Sequence, residues 1–120
     1  MHVRSYAQLA PFVTLDGSEI REWAGPVSAP AHNQSLAEAT IPPRGATTEH
    51  YHRTTEELYL VIAGQGRLVI EGEERIIGEG DCALIPPGKR HKVFNIGAGP
   101  LRIVCACSPA YSDDDTCLTE

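Results

Sequence analysis

The chain has 120 residues, enough for one compact domain and too few for two. Apolar residues make up 42% of it, with charges of both signs interspersed, which excludes a disordered chain. A net charge of −6 argues against a nucleic-acid binder and against docking on anionic membranes, and no run approaches the apolar length of a membrane span.

In chain order, the start Met1-His2-Val3-Arg4-Ser5-Tyr6 lacks the apolar core and cleavage site of a secretory signal, so a cytoplasmic protein is expected. Residues 1–32 read as an irregular arm with strands that join the main body, residues 33–110 as that body, and residues 111–120 as an acidic, loosely held tail carrying Asp113-Asp114-Asp115. Turn signals recur at Asp16-Gly17, Gly25-Pro26, Pro42-Pro43-Arg44-Gly45, Gly64-Gln65-Gly66, Glu71-Gly72, Gly78-Glu79-Gly80-Asp81, Pro86-Pro87-Gly88 and Gly97-Ala98-Gly99-Pro100. Between them lie short segments rich in Val, Ile, Leu and Tyr, such as 58–62, 67–70 and 101–107. No stretch sustains helical spacing. The pattern predicts an all-β sandwich or barrel. The four cysteines, Cys82, Cys105, Cys107 and Cys117, form no C-x-x-C pair, so neither a zinc ribbon nor a dithiol redox pair is signalled.

His50 and His52 are one residue apart, which on a strand puts both imidazoles on one face, roughly 6.5–7 Å apart along the chain. A helix would splay them. Glu57 has the opposite parity, so the polar run Arg53-Thr54-Thr55-Glu56 must turn before a new strand that carries Glu57, Tyr59, Val61 and Ala63 on one face. His91 follows the turn at Pro86-Pro87-Gly88 and shares a face with Val93 and Asn95. Three imidazoles and a carboxylate suit a first-row divalent metal (Mn, Fe, Co, Ni, Cu or Zn), with coordination positions left open as in catalytic rather than structural sites. His2 and His32 read as ordinary hydrogen-bonded histidines.

These residues resemble two motifs of the cupin superfamily. The first reads Gly45…His50-Tyr51-His52…Glu57…Gly64, with four residues before Glu57 and six after it; Gly45 stands one residue closer to His50 than is usual. The second reads Gly80…Pro86-x-Gly88…His91…Asn95 without exception, and fifteen residues separate the two. The resemblance implies a single-domain, antiparallel jelly-roll β-barrel of the small, mannose-6-phosphate isomerase-like type. It implies one metal ion per chain held by His50, His52, Glu57 and His91, turn roles for Gly64, Gly80, Pro86 and Gly88, and a structural role for Asn95. It also implies a homodimer packed through sheet faces, for which Leu58, Leu60 and Ile62, facing away from the ligand side, are candidates.

Tyr59 could donate to a substrate oxygen or fill the barrel, and filling is the favoured reading. Cys105 and Cys107 are read as small buried hydrophobes rather than thiols near a metal. Gln34 and Glu38 share a face whose direction is open, and Arg44 and Arg53 are read as surface charges. The function expected is a metal-dependent enzyme on a small polar or aromatic metabolite, of dioxygenase, isomerase, decarboxylase or cyclase type. The alternatives are a non-catalytic module that binds or senses a small ligand at the metal, and a metal that serves stability alone. No nucleic-acid or membrane partner is expected.

Overall fold

A computed structural model describes residues 1–26, 28 and 30–120. A short 3-10 turn, Tyr6–Gln8, precedes eleven strands: β1 (Phe12–Val13), β2 (Glu19–Ala24), β3 (Ser35–Ile41), β4 (His50–His52), β5 (Glu56–Ala63), β6 (Gln65–Ile70), β7 (Glu73–Gly78), β8 (Cys82–Ile85), β9 (His91–Asn95), β10 (Leu101–Ser108) and β11 (Thr116–Leu118). They form a six-stranded sheet in the order β1-β2-β3-β10-β5-β8 and a five-stranded sheet in the order β11-β4-β9-β6-β7. The strand pairs within both sheets are antiparallel, as a jelly roll requires. Among the described residues no helix is long and apolar enough to cross a membrane.

Strand alternation sets the core. On β5 the side chains of Glu57, Tyr59 and Val61 are buried while Leu58, Leu60 and Ile62 face out. On β10 Leu101, Ile103, Cys105 and Cys107 point inward. Leu68, Ile77 and Val93 meet them from the other sheet, and burying each such aliphatic is worth about 1.5–3 kcal/mol. Gly64 makes the tight β5–β6 turn at φ 86°, where an added Cβ would lie 2.6 Å from the Pro100 carbonyl oxygen. The Asn95 amide donates to the Ile41 and Gly99 carbonyl oxygens and accepts from the Gly97 N–H, locking the far end of the barrel.

One expectation changes, and the direction left open for Gln34 and Glu38 is fixed. The acidic end of the chain is not loosely held: β11 pairs with β4 across Thr116–His52 and Leu118–His50. Asp115 fastens it further, accepting from the Thr54 hydroxyl and from the N–H groups of Thr54 and Thr55. Of the three aspartates, Asp115 thus gives its carboxylate to the turn between β4 and β5. Glu38 is neither solvated nor turned to the interior. It lies on the outer face of β3 but is 1% exposed, covered by the Tyr6 hydroxyl at 2.7 Å and the Arg102 guanidinium at 2.5 Å. Gln34 is exposed.

Asp115→Ala should lower stability by about 2 kcal/mol, the scale of lost charge-assisted hydrogen bonds, read as a shift of the urea midpoint with an unchanged slope.

Candidate metal centre

The three histidines come from one sheet and the glutamate from the other. His50 and His52 flank Tyr51 on β4 and point inward together, 2% and 3% exposed. His91 opens β9 directly opposite His50 in register. Glu57 enters from β5, after the residues 53–55 turn that its parity demanded. The Pro86-Pro87-Gly88 turn reaches back to the site, its Gly88 N–H donating to the His52 carbonyl oxygen at 2.7 Å.

Hydrogen bonds on the outer side of each ring fix what faces inward. His50 Nδ1 meets the Thr48 carbonyl oxygen at 2.7 Å and His91 Nδ1 meets that of Lys89 at 2.9 Å. Carbonyl oxygens only accept, so both Nδ1 atoms carry the proton. His52 Nδ1 meets the Thr116 hydroxyl at 2.9 Å, and that hydroxyl gives its own proton to the Ser112 carbonyl oxygen. It too must accept from the ring. Each neutral imidazole is thereby a Nδ1–H tautomer with its Nε2 lone pair free.

One ligand atom from each of the three rings lies within 4.8 Å of the others. Glu57 Oε1 is 3.3 Å from His52 Nε2 and 3.6 Å from His91 Nε2, close but not aligned as a hydrogen bond. Its other oxygen, Oε2, accepts from the Cys107 thiol at 3.1 Å. Among the described residues, His52 Nε2, His91 Nε2 and Glu57 Oε1 are buried without a hydrogen-bond partner. Each such atom costs about 1–3 kcal/mol. Three of them facing one point fit a cation, and the His50, His52 and His91 cluster can bind a metal ion.

Burial raises the Glu57 carboxyl, and only protonated His52 and His91 would pull it well below the usual carboxylate range. Neutral rings with inward lone pairs do not supply that charge, so a cation between them and Glu57 would take its place. His50 is lowered, first by burial and then by His91, so it stays neutral near pH 7 despite the Thr48 carbonyl and Asp16.

A cavity of about 410 Å³ opens above this floor. Tyr59 is 4% exposed, lines the cavity, and stands edge-on to His91 at 5.9 Å. Burial and then the Glu57 charge raise its phenol well above the ordinary value. His2 and His32 are exposed, and Arg44 and Arg53 lie outside the cavity, Arg53 bonding the Asp114 carbonyl oxygen instead.

Three participants lie outside the roles that the sequence reading favoured. Asp16 looked like half of an Asp-Gly turn, yet its Oδ2 lies 3.8 Å from His50 Nε2, while Oδ1 is occupied by Thr14 and Ser18. Cys107 is more than a small hydrophobe, because it pairs with Glu57 across β10 and β5 and orients the carboxylate. Cys105 is the plain buried residue expected. Tyr111, in the supposed loose tail, packs edge-on to His52 at 5.8 Å. Only Cys107 left a signal, its parity with Ile103 on an inward face.

Long-range nitrogen–proton NMR spectra of metal-free protein at pH 7.5 should show His50, His52 and His91 as Nδ1–H tautomers. A Nε2–H pattern at any of them would refute the assignment.

A family model described as a cupin domain matches residues 37–107. An uncharacterized protein of Methanocaldococcus jannaschii, MJ1618, is 41% identical over 115 residues, covering 96% of this chain and 92% of that one. Among solved structures, the Streptomyces nucleoside dehydratase Pac13 superposes with a TM-score of 0.82 at 17% identity, covering 100% of this chain and 92% of that one. The polyketide cyclase RemF of Streptomyces resistomycificus superposes with a TM-score of 0.77 at 19% identity, covering 96% and 89%. A predicted oxalate decarboxylase of Thermotoga maritima gives 0.78 at 19%, covering 89% and 98%. At these identities the structures speak for the fold alone, and with the matched motifs they lead to one conclusion: the chain belongs to the cupin family.

Proposed function

We propose that this chain is a metal-dependent enzyme that holds one divalent transition-metal ion through His50, His52, Glu57 and His91 and acts on a small metabolite in the cavity above. The observation that carries this reading is the meeting of buried, partnerless Nε2 and Oε1 atoms at one point. Three imidazole nitrogens and one carboxylate oxygen suit Mn, Fe, Co, Ni, Cu or Zn. A bound ion of this kind would polarise a substrate oxygen and stabilise negative charge developing on it.

The surrounding residues supply the rest. Tyr59 keeps its proton and offers a hydrogen bond to a ligand oxygen at the floor. Asp16 presents Oδ2 as a fixed acceptor beside His50. Ile41, Val93 and Ile103 give the cavity apolar walls that exclude water around the reacting group. The volume suits a metabolite rather than a polymer. A reducing, cytoplasmic setting fits the four free thiols.

A second copy of the chain is the proposed partner on the outer face of the six-stranded sheet. There Leu36, Ala106, Leu58 and Leu84 line up in register across four strands, with the three leucines 40%, 42% and 53% exposed. An apolar row of this kind self-packs about a two-fold axis. Leu58→Asp should convert a dimer into a monomer by sedimentation; a wild-type monomer would remove the dimer.

His52→Ala should lose most of the metal found by elemental analysis of protein purified without added metal. Retention near one ion per chain would defeat the ligand assignment. Cys107→Ala should weaken affinity for added Co(II) about tenfold, the scale set by other hydrogen-bond partners of metal ligands, with Cys107→Ser recovering part of it.

A further inference from the structure

The charge of the cavity wall narrows what can enter. Asp16, Glu22 and Asp113 all line it, and no lysine or arginine does so among the described residues. Glu22 lies deepest. It points inward from β2 on the same face as Ile20, opposite Ala37 in register, and is 7% exposed. Its Oε2 accepts from the Ser28 hydroxyl at 2.8 Å. Among the described residues it has no ion-pair partner; Arg4, on the same side, bonds the Ser28 carbonyl oxygen instead. The Glu22 Oε1 packs against Gly25, and the Ser28 hydroxyl is its one side-chain partner among the described residues, so a cationic or donor-rich ligand group would stabilise the buried carboxylate.

Glu22 and Glu57 both line the cavity from separate strands. They belong to β2 and β5, three strand spacings apart in the six-stranded sheet, or roughly 14 Å before curvature draws them closer. On the two intervening strands Ala37, Ala39, Ile103 and Cys105 line the cavity, small and apolar, with Ser35 and Cys107 nearer Glu57. The lining thus offers an oxygen-seeking floor, an apolar middle and an anionic group on β2.

We propose that the ligand is a small amine, with an oxygen at the histidine floor, an apolar or aromatic body along the aliphatic wall, and an ammonium group at Glu22. The reading builds on the floor as a metal site but adds a charge selection that the floor does not determine. Anionic metabolites, phosphate esters and carboxylates included, would meet Asp16, Glu22 and Asp113 with no lysine or arginine among the described lining residues to offset them.

The test uses three molecules of one shape: tyramine, its alcohol analogue tyrosol, and 4-hydroxyphenylacetate. Binding of each is measured by titration calorimetry to the full chain, both metal-free and loaded with Zn(II), with metal content determined in the same samples. The expected order is amine over alcohol over acid, with at least a tenfold advantage of amine over acid in both forms. Glu22→Gln should bring amine and alcohol together while leaving metal content unchanged. Equal responses to the three, none included, or a preference for the acid would overturn the proposal. Because the metal-free protein is measured too, a chain that bound no metal could still pass or fail on charge selection alone.

Discussion

The outward hydrogen bonds of three imidazole rings are the constraint on which the rest of the structure depends. Two main-chain carbonyls and one committed hydroxyl hold the Nδ1 protons, and this turns three lone pairs toward a common point. Without those acceptors each ring could take either tautomer or rotate to satisfy itself elsewhere. The acceptors come from Thr48, Lys89 and Thr116, residues that bracket β4, open β9 and begin β11. The small strands at this end of the barrel thereby fix protons as well as fill a sheet edge.

Closure of the barrel completes the centre. The histidines belong to the five-stranded sheet and Glu57 to the six-stranded one, so the proposed donor set forms only when the two sheets pack face to face. Cys107 then turns Glu57 by taking one carboxylate oxygen and leaving the other to the histidines. Buried atoms without partners are a standing cost to stability, the kind of strain that proteins keep where chemistry is done. Asp16, brought in by the β1–β2 turn, adds a carboxylate that no strand of the matched cupin region supplies.

Much of this was legible in the chain. Spacing of two placed His50 and His52 on one face, and the parity break before Glu57 required the turn now seen at residues 53–55. Gly64, Gly80 and Gly88 all take positive φ at the turns where glycine was read. What stayed hidden depends on contacts between distant segments. Asp16 looks like any Asp-Gly turn until the β1–β2 connection brings it beside His50. The acidic run at 113–115 has the composition of a frayed end, and only the unpaired edge of β4 makes it a strand partner. Glu38 has the parity of a solvated residue, and nothing in its neighbours announces that Tyr6, thirty-two positions earlier, covers it.

The site and the cavity wall make different demands on a ligand: the floor recognises oxygen, the walls recognise shape and charge. Both depend on the floor being a metal centre built from three nitrogens and one oxygen. X-ray absorption spectroscopy of the Zn(II)-loaded full chain tests that most directly. The expected result is one zinc per chain with imidazole nitrogens at about 2.0–2.1 Å, clear imidazole multiple scattering, and no sulfur neighbour. A sulfur shell at about 2.3 Å, or zinc that washes away without any imidazole signature, would contradict it.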